Sequence, residues 1–109
     1  MKPSIRHKLD ILSQRFEEIT ALLAEPETQN DQDKFRSLSR EYAQLNPLIG
    51  CFRNYLETLE AIEYAKSLLE DTDPEVRSMA KEEWADAEDR VEKQEQALQI
   101  LLLPKDPND

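Results

Sequence analysis

A single glycine, a single cysteine and a single histidine occur in 109 residues, and aromatic residues make up only 6% of the chain. Each scarcity excludes something. Folds with many tight turns draw on glycine for positive φ, and only Gly50 can supply it. That argues against β-sandwiches, barrels and glycine-cradled phosphate sites. Cys51 alone rules out an internal disulfide and any multi-cysteine zinc site, which suits a reducing compartment. His7 alone leaves no basis for an HExxH site, a His-rich metal cluster or a Glu-x-x-His di-iron centre. Apolar runs are short too, none longer than the four residues of Ile100 to Leu103. The opening MKPSIRHKLD has no apolar stretch of the kind a signal peptide needs, so neither export nor a membrane span is expected, and the chain reads as soluble and cytoplasmic.

Positive charge is also in short supply. Fourteen Lys and Arg face 24 Asp and Glu, a formal net charge of −10. Such a surface repels phosphate backbones, so independent nucleic-acid binding is not expected, whereas basic protein partners stay open. The 39% of hydrophobic residues is too high for a simple acidic disordered segment, and their placement is periodic. At this length one compact domain would bury roughly 65% of its unfolded surface.

Three helices account for the periodicity. Ile5, Leu9, Leu12, Phe16, Ile19 and Leu23 follow alternating steps of four and three, a heptad seam. Ser4 is the expected N-cap, and Pro26 ends this helix after Ala24 or Glu25. The polar stretch EPETQNDQ reads as a loop, with Asn30 or Asp31 capping the next helix. A second, longer seam runs through Phe35, Leu38, Tyr42, Leu45, Ile49, Phe52, Leu56, Leu59, Ile62, Ala65 and Leu69. Pro47 and Gly50 interrupt it chemically, yet the phase survives across them. One long helix kinked near Pro47 is therefore favoured over two helices with Asn46 as a cap. Asp73-Pro74-Glu75 starts the third helix, as cap, proline at the first helical position and acid in the first turn. Its seam is Val76, Ala80, Trp84, Ala87, Val91, Gln94, Leu98 and Leu101, with Asp86–Arg90 and Asp89–Lys93 spaced as i,i+4 pairs. Pro104 and Pro107 stop it.

The expected fold is all-α: an elongated antiparallel three-helix bundle, in effect a coiled-coil-like hairpin with a shorter first helix. At ~1.5 Å per residue the helices span roughly 30, 55 and 43 Å, so the first cannot cover the whole second. The outer end of the hairpin, carrying Leu59, Ile62, Leu69, Val76 and Ala80, should keep apolar surface exposed. Leu69, Val76 and Ala80 are the candidate partner-facing tip, with weak homodimer formation as a corollary.

No catalytic constellation emerges. His7 sits on the first turn of an exposed helix, nothing in the local sequence would activate Cys51, and acidic neighbours such as Glu17–Glu18 and Glu82–Glu83 read as solvated surface. Trp84 and Tyr64 read more readily as core than as a binding patch. No cofactor, metal site or catalytic residue is expected, and the residues alone support a helical binding or spacer module.

The segments KPSIRHKLDILSQRFEEITALL, FRSLSREYAQLNPLI and LQILLLPKDPND add a resemblance. The chain resembles, over its whole length, the amino-terminal domain of the bacterial peptide chain release factor 1 family, class I factors that read UAA and UAG. FRSLSREYAQL and LLLPKDP are the most specific segments. The resemblance implies a helical domain over residues 1–103 and, at 104–109, the start of a linker to codon-reading and Gly-Gly-Gln portions. It implies a role in translation termination on the ribosome, with this domain contacting the base of the large-subunit stalk and influencing the recycling GTPase. Gly-Gly-Gln does not occur here, so no catalytic residue is expected; no codon-reading residue is expected either, and the chain reads as part of a longer protein. A free-standing acidic helical adaptor or cochaperone that binds partner helices is the alternative.

Overall fold

A computed structural model describes residues 1–103, and every regular element in that range is helical: α1 (Pro3–Leu23), α2 (Pro26–Gln29), α3 (Gln32–Leu68) and α4 (Pro74–Leu101). The chain falls into two compact units, Met1–Gly50 and the part from Cys51 onward, and α3 contributes to both. The expected linker at 104–109 lies outside the described residues.

In the first unit, Pro3 rather than Ser4 sets the start of α1. Proline at the first helical position brings its own φ and has no N–H to leave unpaired. The preceding Lys2 is the extended cap residue, with no side-chain cap bond, and its carbonyl accepts from the N–H groups of Ile5 and Arg6 at 3.1 Å each. Ser4 is thus already inside the helix. At the other end Pro26 forces Glu25 into an extended conformation (ψ 135°), and α1 stops at Leu23.

The stretch expected to be a loop instead holds the single turn α2. Pro26 and Glu27 form the same proline-then-acid start that opens α4, and the Asn30 N–H closes the turn on the Pro26 carbonyl at 3.0 Å. Thr28 is fully buried there. Asp31 then caps α3, its Oδ1 accepting from the Lys34 N–H at 3.2 Å. Leu9, Phe16 and Ile19 of α1 and Leu38, Leu48 and Ile49 of α3 are the buried apolar residues of this unit. Each contributes roughly 1.5–3 kcal/mol of transfer free energy. Phe16 stacks on Tyr42 with centroids 4.8 Å apart, joining α1 to α3.

Helix α3 runs unbroken through Pro47. Proline there cannot donate to the carbonyl four residues back and crowds it, a defect of ~3 kcal/mol in a helix interior. Ala43 and Pro47 both face solvent, so water can serve the orphaned carbonyl, while Leu48 and Ile49 next door are buried. Burial on one face outweighs the defect on the other. The preserved heptad phase is the sequence trace of that balance.

The second unit pairs the later part of α3 with α4. Tyr55 meets Glu95 and Lys66 meets Trp84, so advancing along α3 means retreating along α4: the pair is antiparallel. Asp73 caps α4 as expected, its Oδ1 accepting from the Glu75 N–H at 2.9 Å. The connecting turn is fastened by the Asp73 N–H donating to Asp71 Oδ1 (2.8 Å) and by Arg77 Nη1 donating to the Asp71 carbonyl (2.7 Å). The core here is Phe52, Tyr55, Ile62, Ala65, Ala80, Ala87 and Leu98. Tyr55 and Thr58 are buried where the heptad reading chose Leu56 and Leu59, which are half-buried. Thr58 can sit inside because its hydroxyl donates to the Asn54 carbonyl at 3.0 Å, leaving the methyl to pack. On the surface of α4, Arg90 bonds Glu83 Oε1 at 3.2 Å rather than the expected Asp86.

Candidate functional site

The residues that might carry chemistry lie apart. Among the described residues no three His, Cys, Asp or Glu side chains converge as a metal site would require. His7 is exposed, and Cys51 is a half-buried free thiol. Glu17, Glu18, Glu82 and Glu83 are all exposed. None of the described helices is long and apolar enough to cross a membrane.

One ionic cluster in the first unit has precise geometry. Arg15 grips Glu41 with two parallel bonds, Nε to Oε2 at 2.6 Å and Nη2 to Oε1 at 2.8 Å, and its Nη1 reaches Glu18 Oε1 at 2.9 Å. The hydrogen bonds from Arg15 hold the Glu41 carboxyl below its ordinary pKa, and the same bonds raise that of the guanidinium. Both partners are about one-third exposed, so water screens the pair and its part is to fasten α1 to α3.

In the second unit α3 and α4 form a groove of about 330 Å³. Its floor is Ala65 and Ala80, only 1% and 2% exposed. Two alanines facing each other across a helix pair leave a trough, because neither side chain fills the space between the flanking residues. Tyr64 and Met79 stand beside it, 68% and 69% exposed, and Leu68 closes one side. Glu82, Glu83 and Asp86 supply the polar edge. Nearby, the Lys66 ammonium lies 5.3 Å from the Trp84 ring centre, and Trp84 Nε1 donates to Glu88 Oε1 at 2.9 Å. The groove holds no nucleophile with an adjacent base. Its chemistry is that of contact: an apolar slot bordered by carboxylates.

The expected tip residues are only partly where exposure was anticipated. Leu69 and Val76 are half-buried at the connecting turn, whereas Ala80 and Ile62 are buried. Ala80 therefore lines the groove floor and cannot present itself as open apolar surface. Ile11, Phe35, Tyr64, Met79, Ile100, Leu101 and Leu103 are the exposed large apolar residues among those described, and of these Tyr64 and Met79 border the groove, where a seam-based reading passes over them. Tyr64 precedes the seam residue Ala65 and Met79 precedes Ala80, so each stands beside the stripe and outside it. A second depression, lined in part by Asn54, Thr58, Arg90 and Gln94, is polar, and the buried Gln94 Oε1 has no hydrogen-bond partner among the described residues.

Comparison with known protein families matches residues 12–109 to the PCRF domain. The match takes in the end of α1, all of α2, α3 and α4, and hence the groove. Matched over nearly its full length, the chain belongs to the PCRF domain family of peptide chain release factors, which act in translation termination.

Proposed function

We propose that the chain is the helical amino-terminal domain of a class I release factor of the UAA- and UAG-reading type, and that it works by docking. The observation that carries this reading is the PCRF match over residues 12–109, sharpened by FRSLSREYAQL and LLLPKDP. Peptidyl-tRNA hydrolysis belongs to other portions of the factor, since this sequence has no Gly-Gly-Gln, and so does codon choice, since the one triplet of Pro-x-Thr form, Pro26-Glu27-Thr28, has its threonine fully buried in α2. The domain contributes contacts on the cytoplasmic ribosome: its Leu69–Val76 end addresses the base of the large-subunit stalk and conditions how the recycling GTPase acts on the factor. A net charge of −10 favours encounter with a basic ribosomal protein over encounter with bare RNA.

The test is a release assay on ribosomes stalled with peptidyl-tRNA at each stop codon, comparing this chain with the longer gene product. The chain alone should release nothing, and the longer product should act at UAA and UAG and not at UGA. Hydrolysis by the chain alone would overturn the docking role. Release at UGA would overturn the assignment of type.

A further inference from the structure

We propose that the groove between Tyr64 and Met79 receives a basic amphipathic helix from another protein. The inference goes beyond the termination reading, because it rests on the chemistry of the groove and its test needs no ribosome.

Two large apolar side chains stand more than two-thirds in water on either side of a floor made of alanine. Exposed aromatic and methionine side chains flanking a trough are costly to leave hydrated and adaptable to an incoming apolar group. The electrostatics narrow the choice of occupant. Arg90 already engages Glu83, whereas Glu82 and Asp86 have no salt-bridge partner among the described residues. Those two lie four residues apart on α4, a like-charge spacing that is mildly destabilising in a helix. A cation placed between them relieves that repulsion as well as pairing with each.

An occupant must therefore bring apolar anchors to the slot and positive charge to its edge. A helix with leucine-like residues at i, i+3, i+4 and i+7 flanked by Lys or Arg does both. RNA brings phosphates to an acidic edge, and a second copy of this chain brings Glu82 and Asp86 against their own counterparts. Both meet repulsion where the basic helix finds attraction.

The probe is a synthetic Leu/Lys amphipathic peptide of roughly 18 residues, about five helical turns, titrated into the labelled chain while amide shifts are followed. Shifts should centre on residues 64–68 and 79–86. Tyr64→Ala with Met79→Ala should weaken binding by about tenfold or more, the loss expected for removing central anchors. Glu82→Lys with Asp86→Lys should do likewise and flatten the salt dependence. Glu17→Lys with Glu92→Lys makes the same change in net charge at exposed positions outside the groove, and should change affinity by less than about twofold. All six positions are exposed, so circular dichroism should stay helical throughout. Equal losses in the two charge-reversed proteins, or equal binding of a scrambled peptide of the same composition, would overturn the proposal by showing attraction to acidity at large. Shifts at the groove from oligouridylate would overturn it in favour of RNA. Sedimentation showing dimers that the Tyr64 and Met79 substitutions abolish would overturn it in favour of a second copy.

Discussion

The two units of this chain solve one problem with different side chains. In Met1–Gly50, α1 and the first part of α3 bury long residues, Leu9, Phe16, Ile19, Leu38, Leu48 and Ile49, and a two-pronged Arg15–Glu41 pair fastens the helices at the surface. Among the described residues from Cys51 onward, three of the seven buried apolar residues are alanines. Small residues on a helix seam leave little to fill the space between helices, and here that shortfall becomes a groove. In the second unit core volume is given up at that groove, and Tyr64 and Met79 stand exposed beside it.

The comparison breaks most visibly if core truncation is mild in the first unit. Ile19→Ala removes a fully buried side chain and should cost about 2–5 kcal/mol, read as a lower denaturation midpoint with unchanged slope. Enlargement is the matching test in the second unit. Ala80→Leu forces a larger side chain into a floor position that is 2% exposed, and should cost about 1–3 kcal/mol while abolishing peptide binding in the groove. If Ala80→Leu is instead stabilising, the trough is a packing void and the functional contrast falls.

Smaller effects sharpen the picture. The Thr28 hydroxyl is buried with no hydrogen-bond partner among the described residues, so Thr28→Val, which keeps the shape, should stabilise by roughly 1 kcal/mol in thermal unfolding. Gly50 is helical, and an added Cβ would meet nothing within 4 Å; Gly50→Ala should stabilise by about 0.5–1 kcal/mol. The smallest effect is in acid. Because Arg15 lowers the folded pKa of Glu41, the pair's stabilisation is complete above the unfolded carboxyl value of about 4.3 and is lost as pH falls through the lower folded value. Glu41→Gln should remove that contribution at neutral pH and flatten the acid limb, measured as the thermal midpoint at pH 7 and pH 3.

Much of the fold could be read in the sequence because its signals are local and redundant. Asp73-Pro74-Glu75 carries cap, dihedral and charge together, and it starts α4 as expected. The seam crosses Pro47 in phase because Leu48, Ile49 and Phe52 are held by burial whatever the backbone defect on the other face. The turn α2 escaped because EPETQNDQ is polar throughout, although Pro26-Glu27 carries two of the three features that mark α4. Tyr55 and Thr58 escaped for a different reason. A search for apolar steps does not admit threonine, and the bond that makes Thr58 buriable, to the Asn54 carbonyl, belongs to the folded helix.

The groove was harder to read. Ala65 and Ala80 were on the seams, but that two alanines meet across α3 and α4 depends on the register of the pair. That register is set by contacts such as Tyr55 with Glu95, far along the chain from the groove. Tyr64 stands one position outside the seam residue Ala65 in the sequence itself; the pairing of α3 with α4 adds that this position is exposed beside the groove.

We propose that this domain serves termination by contact. The most direct measurement introduces Leu69→Lys and Val76→Lys into the intact factor and separates ribosome association from peptide release at saturating factor. Association should weaken, by about tenfold if that end is the main contact, with the rate of release at saturation unchanged. A release rate that falls at saturation while association stays intact would contradict it.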